Sequence, residues 1–251
     1  MAINRRQTIK NIAVSLAGIA MAKNAFSYPR EVHFVPLGSQ SNEHQIINAG
    51  VPGNNTADLL KRVEKDCLSH RPKLTILMAG TNDMNSVKYI PLEQYRKNMI
   101  SLIDSIKAIG SEVVLMTILP LYEPYLLTRH PAAFYQPEGI AERRKAVNKM
   151  IRSIAEEKKT HFLDLGRRFE LIGKIGTDIN SLIRNEANSG QTDGIHPTPN
   201  GYRFIGLTVY DYLADHDLPF SKIVCFGDSI TCGDGSVDKE SYPAYLSKLI
   251  G

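Results

Sequence analysis

Residues 222–231 read Lys222-Ile223-Val224-Cys225-Phe226-Gly227-Asp228-Ser229-Ile230-Thr231. Four apolar residues in a row, closed by a glycine and an aspartate, predict a strand buried on both faces. The turn that closes it delivers a serine where a strand hands over to the next helix, which the periodicity places over Tyr242–Ile250. A strand of this kind belongs in the interior of a parallel sheet, so its neighbours must come from upstream.

Upstream, apolar runs and amphipathic segments alternate as βα units do. Gln45–Asn48 predicts a short strand that enters the turn-rich Gly50-Val51-Pro52-Gly53. Thr56 reads as the cap of a helix with Leu59, Leu60, Val63 and Cys67 on its apolar face. Lys73–Met78 and Glu112–Thr117 predict two further buried strands, with a long helix between them carrying Leu92, Tyr95, Met99, Leu102, Ile103 and Ile106 and stopping at Gly110. Leu119–Pro137 is a long Pro- and Tyr-rich connection, a candidate lid or pocket wall. Tyr122, Tyr125, Phe134 and Tyr135 offer either an aromatic wall or a packed loop. A helix with Val147, Met150, Ile151 and Ile154 follows, then a strand at His161–Asp164. The next helix is capped by Thr198, with Pro199 in its first turn and Phe204, Ile205, Val209 and Tyr212 inward. No linker and no internal repeat divides the chain, so residues 28–251 read as one domain.

Four short blocks lie where strands give way to helices, and in an open parallel sheet such positions meet at the carboxyl edge. They are Gly227-Asp228-Ser229, Asn48-Ala49-Gly50-Val51-Pro52-Gly53, Gly80-Thr81-Asn82-Asp83 and Asp193-Gly194-Ile195-His196-Pro197. Acyl transfer asks for these residue types. A serine hydroxyl needs a base within hydrogen-bond reach, and His196 can take its proton and return it to the leaving group. Asp193 can hold the imidazole in one tautomer. The N–H groups of Ser229 and Gly53 and the side-chain amide of Asn82 can meet the oxyanion, glycine permitting a close backbone approach. Asp228 and Asp83 read as braces, one for the nucleophile loop and one for its own turn. His33, His44, His70, His130, His161 and His216 read as surface or structural residues. Each block alone is an ordinary turn; the weight lies in their joint occurrence.

Together the blocks resemble those of the SGNH, or GDSL, hydrolases, named for Ser, Gly, Asn and His in four motifs. The resemblance covers most of residues 45–251 and implies a flavodoxin-like three-layer α/β/α sandwich with a central parallel sheet. It also implies ester or acetyl hydrolysis without metal or organic cofactor. Ser229 takes the nucleophile's place, His196 and Asp193 those of the base and its acid, and Gly53 and Asn82 those of the oxyanion donors. The order departs from the family, in which the serine block comes first. Here it comes last, as though the chain had been cut after the first helix and its old ends joined through Asp215–Phe220. Circular permutation is tolerated where the cut lies in an exposed loop. A truncated second copy, or a strand that completes a neighbouring chain's site, would give the same order.

Composition narrows the partners. The formal charge of +4 resides in residues 1–27, where Arg5, Arg6, Lys10 and Lys23 meet no acid, and the remainder is balanced. That excludes an electrostatic footprint for nucleic acid. The leader itself, with Arg5-Arg6, an apolar run from Ile12 to Ala22 and small residues near Ala22 and Ala25, predicts an export signal over 1–27 that resembles a twin-arginine signal. A buried N-terminal helix is the alternative. No Cys lies near its end to carry a lipid anchor, and no later run is of membrane-spanning length, so no stable membrane association is expected. Cys67, Cys225 and Cys232 are odd in number and lack metal-ligand spacing. Cys67 and Cys225 read as buried apolar residues, and Cys232 as a possible neighbour of the site. The expectation is an exported, periplasmic or secreted serine esterase acting on short acyl esters of small molecules or glycans. An acyltransferase and a non-catalytic carbohydrate-binding module are the alternatives. Oligomeric state is not encoded in any of these features.

Overall fold

Five short strands make one parallel sheet: β1 (Gln45–Gly50), β2 (Leu74–Met78), β3 (Glu112–Met116), β4 (His161–Leu163) and β5 (Lys222–Gly227). They run in the order β1-β5-β2-β3-β4. The computed structural model describes residues 44–233 and 240–251; the expected export signal over 1–27 lies outside the described residues. β5, the last strand in sequence, pairs with β1 along one edge, Ile46 against Ile223 and Gly50 against Gly227. Along its other edge it pairs with β2, Leu74 against Ile223 and Met78 against Gly227. The buried apolar run at 223–226 thus sits inside the sheet. Counted with β5 first, the order is that of a flavodoxin-like sheet.

Helices cover both faces. Successive strand side chains point to opposite sides, and the core divides accordingly. Val224, Phe226, Leu77, Val113 and Leu115 face α1 (Thr56–Asp66), α2 (Leu92–Ala108) and α4 (Gly139–Lys158). Ile223, Cys225, Ile76, Met78 and Met116 face α5 (Leu165–Ile172), α7 (Pro199–Asp215) and α9 (Tyr242–Ile250). The chain leaves β1 and β2 for one face and β5 for the other, which opens a crevice at their carboxyl ends. Three short α-helices, α3 (Glu123–Leu126), α6 (Glu186–Ser189) and α8 (Ser229–Cys232), lie in the connections. No helix among the described residues is long and apolar enough to cross a membrane.

Two local expectations are corrected. The cap of α1 is Asn55, which accepts from the amide of Asp58 (3.0 Å) while Asp58 receives that of Asn55, a reciprocal capping box. Thr56 stands one residue later, fully buried, because its hydroxyl donates to Asp83 rather than capping the helix. On α7 the inward face is led by Tyr202, Ile205, Val209 and Leu213, with Phe204 and Tyr212 only partly covered. Its cap is as expected: Thr198 accepts from Gly201 N (3.2 Å) and Pro199 opens the helix.

Candidate active site

The level ends of three strands carry the first part of the site. β1, β5 and β2 finish at Gly50, Gly227 and Met78, which are in register, so Gly53, Ser229 and Asn82 follow within a few residues of one another in space. Ser229 opens α8 immediately after Asp228, whose side chain caps that short helix by accepting from Ile230 N (2.9 Å). β5 and the α8 segment are crowded against β1: a methyl group at Gly50 would stand 2.1 Å from the amide nitrogen of Cys232.

The histidine arrives from a loop 33 residues upstream of Ser229. Residues 182–184 run beside 194–198, bonding Arg184 N to His196 O (2.8 Å), Gly194 N to Arg184 O (2.9 Å) and Thr198 N to Leu182 O (2.9 Å). This bracket fixes the loop that bears Asp193 and His196. His196 Nδ1 lies 2.8 Å from Asp193 Oδ2, and its Nε2 lies 3.0 Å from Ser229 Oγ. Burial works against charge on Asp193, but the imidazole and the amides of His196 and Ile195 outweigh it and hold its carboxyl at about 2. An ionised Asp193 can only accept, so Nδ1 donates and Nε2 is left to receive the serine hydroxyl. The arrangement can activate a hydroxyl for attack and return the proton to a departing alcohol.

Asn82 and Gly53 line the same cavity of about 250 Å³ as Ser229 and His196. The amide of Asn82 is oriented by two bonds, Nδ2 to Asn54 O (2.9 Å) and Oδ1 from Asn85 Nδ2 (3.2 Å). Its second N–H faces Asp228 Oδ2 at 3.5 Å, a long contact that leaves it open to a better acceptor. Gly53 has φ +75°, and a methyl group there would meet nothing within 4 Å. The left-handed backbone by itself calls for glycine here, since no protein atom crowds the position.

Beneath the site lie two buried carboxyls. Burial pushes Asp228 up to about 6, and Asp83 likewise, against the hydrogen bonds each accepts. Asp228 braces the nucleophile loop as expected. Asp83 reaches further than its own turn: it accepts from both the amide and the hydroxyl of Thr56, tying the asparagine loop to the start of α1. Asn98 donates to the same hydroxyl (3.0 Å).

Several neighbours were invisible in the sequence. Arg62, on α1, donates to the carbonyls of Ala49 (2.9 Å) and Gly227 (2.7 Å) and to Asn54 Oδ1 (2.6 Å), with its guanidinium over the Phe226 ring. It joins the glycine loop to the end of β5. Arg129 donates to the carbonyls of Thr192 (2.7 Å) and Asp193, holding the histidine loop from outside. Ser86 and His130 Nδ1 lie 2.7 Å apart and link the asparagine loop to the 119–137 connection. That connection does wall the cavity, but with Leu121 and Leu126. Tyr122 and Tyr125 pack edge-to-face, and Phe134 and Tyr135 stack about Arg143 instead, so the packed-loop alternative holds for the aromatics. Cys232 is absent from the cavity wall; Cys67 and Cys225 are buried in the core.

A sequence model described as the GDSL-like lipase/acylhydrolase family matches residues 27–204. The chain belongs to that family. It is accordingly a hydrolase of ester bonds. The matched stretch holds Gly53, Asn82, Asp193 and His196 and stops short of Ser229, whose position rests on the coordinates. Among similar proteins is one from Bacillus subtilis named "Uncharacterized lipoprotein YqeF", 28% identical over 200 residues, 73% of this chain and 80% of that one. Among solved structures, a lipase/acylhydrolase from Enterococcus faecalis matches with TM-score 0.50 at 21% identity, covering 67% of this chain and 74% of its own. An acetyl xylan esterase matches with TM-score 0.51 at 21% identity, covering 65% and 78%. At this identity the structures speak for the fold.

Proposed function

We propose that the protein is a serine esterase that works through an acyl-enzyme on Ser229. His196 acts as base and then acid, Asp193 orients the imidazole and stabilises its charged form, and the oxyanion is met by the N–H groups of Ser229 and Gly53 and the amide of Asn82. The observation that carries this reading is the unbroken chain Asp193–His196–Ser229, at 2.8 and 3.0 Å, drawn from segments 33 residues apart. Attack by Ser229 Oγ on the ester carbonyl passes its proton to His196 Nε2. Collapse of the tetrahedral intermediate expels the alcohol with that proton, and water repeats the sequence to free the acid.

The two sides of the cavity suggest which part of the ester goes where. Beside His196, which must protonate the leaving alcohol, lies an open polar groove of about 510 Å³ with Arg129, Glu186, Gln191 and Thr192 on its walls. Such a surface suits a hydroxyl-rich alcohol, in keeping with an acetylated carbohydrate. The acetyl xylan esterase among the structural neighbours is consistent with that choice. Met84, Leu121 and Leu126 give the catalytic cavity an apolar wall fit for a short acyl group. The motif order is read as a circular permutation, supported by β5 pairing on both edges. Export is read from the leader, and the lipoprotein name of the Bacillus subtilis relative accords with it.

Ser229→Ala tests the reading. It should lower kcat on aryl acetates at least about a thousandfold, since residues that act as a unit lose nearly everything together. Activity within tenfold of the parent would refute it. Acetylated sugars compared with aryl esters of rising chain length would test the substrate class; a kcat/KM for acetylated sugars below that of simple aryl acetates would count against carbohydrate.

A further inference from the structure

A second cavity, about 360 Å³, lies behind the asparagine loop between the starts of α2 and α4. Its wall is largely apolar: Ile90, Leu92, Tyr95, Ala146 and Val147. The charges near it are already committed. Arg143 is bonded to Glu138 and to the carbonyl of Phe134, and its guanidinium lies over the rings of Tyr89, Phe134 and Tyr135. Asp83 is engaged by Thr56. One residue, Met84, lines both this cavity and the catalytic one.

We propose that the second cavity is an extension of the acyl site for medium-length acyl chains, closed at rest by Met84. This extension rests on the assignment of Ser229 and on the direction of the chemistry. The alcohol must leave beside His196, where the groove is polar and open, so the acyl chain is directed to the cavity's apolar lining, of which Met84 is part. Met84 is 2% exposed, unbranched and has three rotatable bonds, so it can swing aside where a β-branched residue could not. Short acyl groups fit in front of it. Longer ones gain apolar burial behind it, and each buried methylene raises kcat/KM about fourfold if the burial persists in the transition state. The occupant is the distal part of the substrate's own acyl chain.

The test is a series of p-nitrophenyl esters from acetate to decanoate. Met84→Ala joins the two cavities and should raise the ratio of kcat/KM for octanoate over acetate at least tenfold. Ala146→Phe fills the far cavity from the half-buried surface of α4, away from the core, and should lower the same ratio at least tenfold in the parent chain. It keeps the test open if Met84→Ala does not fold. A ratio unmoved by either variant, with Ser229 still essential for acetate hydrolysis, overturns the second chamber and leaves the nucleophile standing. A parent chain whose acetate hydrolysis survives Ser229→Ala overturns both.

Discussion

If β5 is an inner strand, held between β1 and β2, a chain ending at Asp217 should not fold. Ile223, Val224, Cys225 and Phe226 are all fully buried, as are Tyr242 and Leu246 of α9. Burying a large apolar side chain stabilises by roughly 1.5–3 kcal/mol. Counting Ile223, Val224, Phe226, Tyr242 and Leu246, truncation forfeits about 8–15 kcal/mol, as much as the whole net stability of an ordinary domain at roughly 5–15 kcal/mol. It also leaves β1 and β2 with unpaired inner edges. Thermal melts followed by near-ultraviolet circular dichroism should therefore show no cooperative transition in the truncated chain. Adding residues 218–251 as a separate peptide should restore one, because the missing strand pairs with an otherwise complete sheet. A truncated chain that melts cooperatively within about 5 °C of the parent would refute the placement of β5.

Three further outcomes follow from the site. Asn82→Ala should cost about 2.7–4 kcal/mol of transition-state stabilisation, a 100- to 1,000-fold fall in kcat with little change in KM; steady-state kinetics on p-nitrophenyl acetate would show it, and a fall below tenfold would remove Asn82 from the oxyanion site. Asp228 has its folded-state pKa raised from 3.8 to about 6 by burial, so its contribution to stability is full below about pH 4 and is lost as pH rises through 6. Denaturant titrations of Asp228→Asn, in which the cap is kept, should accordingly lack about 2–3 kcal/mol of the decline the parent shows between pH 4 and pH 7; parallel curves would contradict this. Gly50→Ala would set a methyl group 2.1 Å from Cys232 N, a backbone atom that cannot yield without moving α8, whereas Gly53→Ala meets no atom and is strained only by its φ of +75°. The first should abolish activity or folding, and the second should cost roughly 1–2 kcal/mol in a melt.

Much of this was written locally. The run 223–226 announces a doubly buried strand because four apolar residues in succession leave no polar face, and the sheet buries it on both sides. The four blocks announce a shared edge because parallel strands bring their carboxyl ends together whatever the order of the chain. Thr198-Pro199 reads correctly as a helix start because cap and first turn are local chemistry. Asn55-Thr56 does not, since both types cap well, and what decides between them is a buried carboxyl at Asp83, 27 residues away. The same holds for Arg62 and Arg129. Each braces a catalytic loop by donating to main-chain carbonyls, and carbonyls leave no mark in a sequence. Helix α5 escaped notice because eight residues give barely two turns of periodicity. The second cavity could not be foreseen at all, being formed by side chains from three separated segments around Met84.

The central claim is that the Ser229 hydroxyl, carried just beyond β5, is the nucleophile and gives its proton to the imidazole of His196. A fluorophosphonate probe followed by peptide mass mapping tests it most directly. The adduct should fall on Ser229, and His196→Ala should slow labelling at least about a hundredfold. An adduct on any other residue, or labelling of Ser229 at an undiminished rate in His196→Ala, would contradict the account.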